Sequence, residues 1–320
     1  MTRDPRLAGH DGRPVSVSHE IALAGSAGGA PSMLTCRWPD GETPKALVVF
    51  CHGLGASGRG YDALSGYWAA RGYLVVHPTF PDWIAAVAAR EPGLGLDPDA
   101  DLSGWAAMPR VRARLHEILH TPFYWLERIR IVRRLLDEAD AILAATGGDP
   151  GRPVPLAVAG HSFGAYTAQL LAGAEIDLPG ESPARFRDDR LAAAILLSAQ
   201  GRDQQGLRDG SWEAMTGPVL TVTGTLDRGA GGQGWEWKSE PYELGPPGGK
   251  YLAVLEGADH YLGGFASGGA GAAVPNQRDA VRRLTLAFLD AHVARDAAAA
   301  SWLASITDRI GPAPLLFKPK

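Results

Sequence analysis

The chain has 320 residues, 45% of them hydrophobic, and 31 basic residues against 35 acidic ones give a formal net charge of −4. That length and apolar content suit one large core, while the near balance of charge leaves no footprint for nucleic acid or an anionic membrane surface. Cys36 and Cys51 both sit in apolar runs and read as buried free thiols, with no spacing for a disulfide framework or a metal; no signal core or membrane-length run is present, so a cytoplasmic protein is expected.

Strands and helices alternate after residue 45. This calls for an α/β domain spanning 1–320, with a mainly parallel sheet, expected to have eight strands, covered by helices on both faces. Residues 15–23 and 32–38 are expected as antiparallel edge strands. The apolar run 46–51 enters the small-residue loop His52-Gly53-Leu54-Gly55, ahead of a helix over 61–68. The same glycines, Gly53 to Gly58, fit the G-x-G-x-x-G of a dinucleotide site. The next strand ends in His77-Pro78, where the ribose needs an acidic residue, so no cofactor is expected. Residues 81–121 are too long for a simple connection and carry Trp83, Trp105, Met108, His116 and His120. They are expected to form a lid-like insertion over the carboxyl ends of the strands. Residues 122–145 read as one long helix.

An apolar strand over 155–159 then runs into Gly160-His161-Ser162-Phe163-Gly164 and a helix over 165–172. A G-x-S-x-G between strand and helix holds its serine at the tip of a strained turn, where neighbouring backbone comes so close that only glycine fits on either side. A serine hydroxyl needs a base, an acid to orient that base, and donors for an oxyanion. Asp227 lies just beyond the strand over 218–225, and His260 follows the strand 250–255 through Glu256-Gly257-Ala258-Asp259. His260 is the expected general base and Asp227 the expected acid. Asp259 is the rival acid because it adjoins His260, although neighbours at a strand end tend to point apart; Glu256 is a weaker rival. His161 is expected to pack, His52 to prop the loop after it, and His77, His116 and His120 to be satisfied, solvated or pocket-lining. The Gly-rich stretch 263–271 lacks the Lys-Ser/Thr of a phosphate loop and reads as a flexible loop beside His260. A terminal helix over 277–293 is followed by an Ala-rich stretch expected to remain helical to residue 306.

The chain order Ser162, Asp227, His260 is that of the α/β-hydrolases, not of chymotrypsin or subtilisin; in that arrangement the backbone N–H groups of Leu54 and Phe163 are the expected oxyanion donors. The chain resembles the α/β-hydrolases near dienelactone hydrolase, and within them the serine esterases akin to plasma-type platelet-activating factor acetylhydrolase. The resemblance rests on Cys51-His52-Gly53-Leu54-Gly55-Ala56 with Tyr61, on the Ser162 pentapeptide, on Val222-Thr223-Gly224-Thr225-Leu226-Asp227 and on Gly257-Ala258-Asp259-His260. Leu197-Ser198-Ala199-Gln200-Gly201 looks like the family's loop after the sixth strand. The resemblance covers about residues 45–290 and implies an α/β-hydrolase fold and a serine carboxylic-ester hydrolase. Ser162 stands where dienelactone hydrolase has cysteine, and no amphipathic membrane-docking segment is visible, so neither relative's substrate carries over. Trp83, Trp105, Gln200, Trp237 and Trp235 are the expected pocket wall, favouring a small or medium apolar ester as partner. Thioester or amide cleavage, or a non-hydrolytic lyase, cyclase or ligand-binding member of the fold, is the alternative.

Overall fold

The computed structural model describes residues 13–23, 32–149, 151–265 and 273–320. In chain order it runs β1 (Val15–Leu23), β2 (Ser32–Pro39), β3 (Ala46–Cys51), α1 (Asp62–Ala69), β4 (Tyr73–Pro78), α2 (Ile84–Arg90), α3 (Pro109–Leu119), α4 (Pro122–Asp137) and α5 (Ala139–Ala145). It continues with β5 (Leu156–His161), α6 (Phe163–Leu171), β6 (Glu175–Leu178), β7 (Glu181–Arg185), β8 (Leu191–Leu197), β9 (Val219–Gly224), α7 (Trp235–Glu243) and β10 (Lys250–Leu255). The last elements are α8 (Pro275–His292), α9 (Ala297–Ala304), β11 (Arg309–Ile310) and β12 (Ala313–Pro319).

The main sheet has the order β1-β2-β4-β3-β5-β8-β9-β10-β12-β11. Its centre, β4 through β10, is parallel throughout. Parallel strands covered on both faces read as continuous apolar runs, and every residue of β3, β4 and β9 is buried. Alternation divides those runs between two cores. Leu47, Val49 and Cys51 face one layer with Val132 and Leu135 of α4 and Leu170 of α6. Ala46, Val48 and Phe50 face the other with Trp68 of α1 and Leu284 and Phe288 of α8. Both thiols are free and buried. Among the described residues no helix is long and apolar enough to cross a membrane.

β1 and β2 take the antiparallel edge positions expected of them. Several expectations need correction. Among the described residues the main sheet has ten strands, not eight: β12 adds antiparallel to β10 and β11 pairs with β12. The alternating burial of β12 puts Ala313, Leu315 and Phe317 into the second core, which a short segment between two prolines did not announce. The long helix over 122–145 is two, because Glu138 leaves the helical region at φ −100°, ψ 14°. The terminal helical stretch stops at Ala304, not 306. Residues 266–271 of the expected glycine loop lie outside the described residues.

Candidate active site

The turn between β5 and α6 shows why its glycines are required. A Cβ on residue 160 would lie 2.1 Å from the Gly164 carbonyl oxygen, and one on residue 164 would lie 1.9 Å from the Cys51 carbonyl oxygen. The helix thus starts in direct backbone contact with the end of β3. Ser162 sits at φ 54°, ψ −119°, a left-handed conformation unfavourable for a residue with a Cβ and typical of functional turns. Its N–H is taken by Leu197 O at 2.9 Å, while Phe163, the first residue of α6, has the orphan N–H of a helix start. Ser162 is partly exposed at the floor of a cavity of about 810 Å³.

His260 lines the same cavity, and its Nδ1–H donates to Asp227 Oδ1 at 2.8 Å. Asp227 is fully buried. Its other oxygen accepts from Ser198 Oγ and, at 2.9 Å, from Thr223 Oγ1. The ammonium of Lys238 lies 3.9 Å from Oδ1 and donates to the Ser198 carbonyl. Burial alone would push the Asp227 carboxyl up, but the His260 hydrogen bond, the Lys238 charge and the Ser198 hydroxyl together hold it below the usual carboxylate range. Neither rival takes this place: Asp259 is exposed and its carboxylate caps the Tyr261 N–H, and Glu256 is exposed, while the His260 ring bonds to Asp227.

Three polar braces hold the loops around the site, and only that of His52 was read from the sequence. Tyr61 OH accepts the Gly53 N–H at 2.9 Å and lies 3.2 Å from His161 Nδ1, while His161 Nε2–H donates to the His260 carbonyl at 2.9 Å. His161 therefore links the loop after β3 to the loop carrying His260. His52 props its own loop, as expected, donating from Nδ1 to Gly53 O at 2.8 Å and accepting the Phe80 N–H at Nε2. Both imidazoles are neutral: burial, aided for His52 by Arg128 and for His161 by His260, lowers them to about 4 and about 3 respectively. The third brace is a buried Arg128–Asp82 pair.

Residues 81–121 form one wall of the cavity. Trp83, Ile84, Ala85, Leu102, Trp105 and Leu119 supply an apolar surface there, with residues 98–101 at its rim. Gln200, Trp237, Lys238 and Arg228 line the same cavity. Trp83, Trp105, Gln200 and Trp237 are thus all brought to the cavity, as is Leu54. Trp105 lies flat on Gly55, whose φ is +71° and whose added Cβ would sit 2.7 Å from the indole nitrogen. Two glycines of the dinucleotide-like run are therefore needed for packing: Gly58 likewise leaves room for the Cβ of His77, 2.3 Å from where its own would stand.

Other residues go elsewhere. Trp235 packs on Tyr242, Leu252 and Val254 behind the cavity. His77 is buried between Phe50 and Tyr61, and His116 and His120 pair with each other, ring centroids 4.5 Å apart. No family model and no curated protein matches this chain in sequence.

Proposed function

We propose that this chain is a serine hydrolase of the α/β-hydrolase type that cleaves carboxylic esters through an acyl-serine intermediate, with Ser162, His260 and Asp227 as its triad. The observation that carries the reading is the hydrogen bond from His260 Nδ1 to a fully buried Asp227, beside a strained strand-to-helix turn that opens Ser162 into the same cavity. With Nδ1 committed to the carboxylate, the imidazole is held in the tautomer whose Nε2 can accept a proton.

In the first half-reaction Ser162 Oγ attacks the ester carbonyl carbon as His260 Nε2 takes the hydroxyl proton. The carbonyl oxygen becomes an oxyanion, received by the N–H groups of Leu54 and Phe163. Collapse breaks the bond to the alkoxy oxygen, and His260 gives its proton to the departing alcohol. A water deprotonated by His260 then attacks the acyl carbon, releasing the acid and returning the proton to Ser162. Asp227, kept ionised by its hydroxyl and ammonium partners, stabilises the imidazolium in both halves. The tryptophan-lined wall, acting as a lid over the serine, favours a small or medium apolar acyl or alcohol group. Buried free thiols accord with a reducing, cytoplasmic setting.

The direct test is turnover of a short-chain p-nitrophenyl ester by wild type and Ser162→Ala. Turnover that depends on Ser162 is expected; a wild type inert towards ester, thioester and amide panels would instead favour a non-hydrolytic use of the fold.

A further inference from the structure

Arg128 of α4 is fully buried, far from solvent, and its guanidinium does three things at once. Nε and Nη2 donate to the two oxygens of fully buried Asp82 at 2.8 and 2.6 Å. Nη1 donates to the His52 carbonyl at 2.9 Å. The planar group lies between two rings, 4.2 Å from the Phe80 centroid and 4.1 Å from that of Phe163.

Those partners surround the two backbone donors assigned to the oxyanion. The peptide joining His52 to Gly53 is held at both polar ends, its carbonyl by Arg128 and its N–H by Tyr61 OH. The following peptide, whose N–H is that of Leu54, has its carbonyl held by His52 Nδ1, and the His52 ring is in turn fixed by the Phe80 N–H. With both planes fixed, the direction of the Leu54 N–H is fixed as well. The second donor belongs to Phe163, whose ring covers the other face of the same guanidinium. Asp82 and Phe80 stand at the root of the 81–121 wall, and the next residue, Trp83, bridges to Gly55 of the oxyanion loop.

We propose that Arg128 is a positioning residue for the oxyanion hole, setting the Leu54 and Phe163 donors relative to each other and to the insertion. The proposal rests on the serine-hydrolase reading of the site. Stability alone does not account for the arrangement, since apolar residues of similar volume often replace a buried ion pair without loss. What apolar residues cannot replace is the directional hold on the His52 carbonyl, and only the forked arginine head can make that bond while gripping a carboxylate with two others.

The test compares wild type, Arg128→Lys and the paired Asp82→Leu/Arg128→Met variant, which leaves no buried charge unpaired. Melting temperature, kcat, KM and inhibition by an alkyl boronic acid, a mimic of the tetrahedral intermediate, are measured for each. An oxyanion donor acts in the transition state and not on bound ester. The paired variant is therefore expected to melt near wild type, to lose roughly 10- to 100-fold in kcat with KM within about threefold, and to bind the boronate correspondingly more weakly. The Arg128→Lys variant, which keeps the charge but loses the fork, is expected to lose about tenfold or more in kcat and decides the matter if the paired variant does not fold. Recovery of kcat together with stability in the paired variant, wild-type kcat in Arg128→Lys, or a loss confined to KM would overturn the proposal. A wild type without Ser162-dependent turnover would overturn the hydrolase reading, and in that case the exchange rates of the Leu54 and Phe163 amide protons in the same variants test the clamp. Rates unchanged from wild type would refute it.

Discussion

On the strand-end wall of the cleft, Asp227 is fully buried and accepts from a histidine and two hydroxyls, with a buried ammonium close by. On the facing wall, Asp99 and Asp101 are exposed, and the turns there are held by local bonds such as Asp101 to the Ser103 N–H. The Arg114–Glu91 ion pair on the outside of that wall is about a third exposed on both sides, unlike the buried Asp82–Arg128 pair at its root. Side chains at strand ends are held by contacts from several elements, so their geometry is over-determined. Outer residues of the insertion, such as Glu91, Asp99 and Asp101, are held by partners within it and can change with little consequence for the fold, whereas its inner residues, among them Asp82, Val87 and Leu115, are buried against the rest of the molecule. Under the proposed function, reaction chemistry belongs to the first wall and substrate choice to the exposed part of the second. Each substitution below should damage one of these and spare the other.

The largest effect is expected at Asp227. Asp227→Asn should lower kcat about 10⁴-fold, because an amide in place of the carboxylate favours the wrong histidine tautomer. Asp259→Asn, which touches only a turn N–H, should leave kcat within a few-fold of wild type. The opposite ranking in folded, purified variants would move the acid to Asp259.

The strand-end wall should also show itself in acid. His52 is lowered to about 4 and His161 to about 3 from an ordinary 6.5. As the pH falls below about 6.5 the unfolded chain takes up protons that the folded one refuses, so stability is full above that pH and declines towards pH 4. Each fully buried imidazole contributes on the order of 3 kcal/mol to the loss. Urea midpoints measured from about pH 7.5 to about pH 4.5 should fall steeply once the pH drops below the ordinary histidine value. A flat profile would mean that these rings are open to water.

On the insertion wall, Trp105→Ala should reduce kcat/KM tens-fold for long or aromatic acyl esters and hardly at all for acetyl esters, since loss of an aromatic contact surface costs roughly 2 to 3 kcal/mol. A uniform loss across chain lengths, with a lower melting temperature, would place Trp105 in the core instead. Glu91→Gln, which weakens the partly exposed pair with Arg114, should change stability by at most about 1 kcal/mol and leave acetyl-ester turnover unchanged. A larger fall in stability would show that the pair matters to the fold, and a fall in acetyl-ester turnover would tie the insertion to the reaction.

The same division explains what could be read from the chain. The Ser162 turn was legible because its requirements are local: glycines at 160 and 164, a strand before and a helix after. Asp227 and His260 were legible as the residues just past two apolar strands. Arg128 was not, because it sits in a helix with Arg130, Arg133 and Arg134 and nothing local marks it as the buried one; its partners Asp82 and His52 are 46 and 76 residues away. Tyr61 and His161 meet across 100 residues, and β12 became a strand only by pairing with β10. Trp235 and Trp237 look alike in sequence. Helical spacing turns one towards Leu252 and the other to the cavity.

The most direct measurement is covalent labelling with a fluorophosphonate, followed by mass spectrometry of the intact chain and of its peptides. One adduct is expected per chain, on Ser162, with ester turnover falling in proportion to labelling and with no adduct on Ser162→Ala. An adduct on another residue, labelling that persists in Ser162→Ala, or turnover that survives complete modification of Ser162 would contradict its role as the nucleophile.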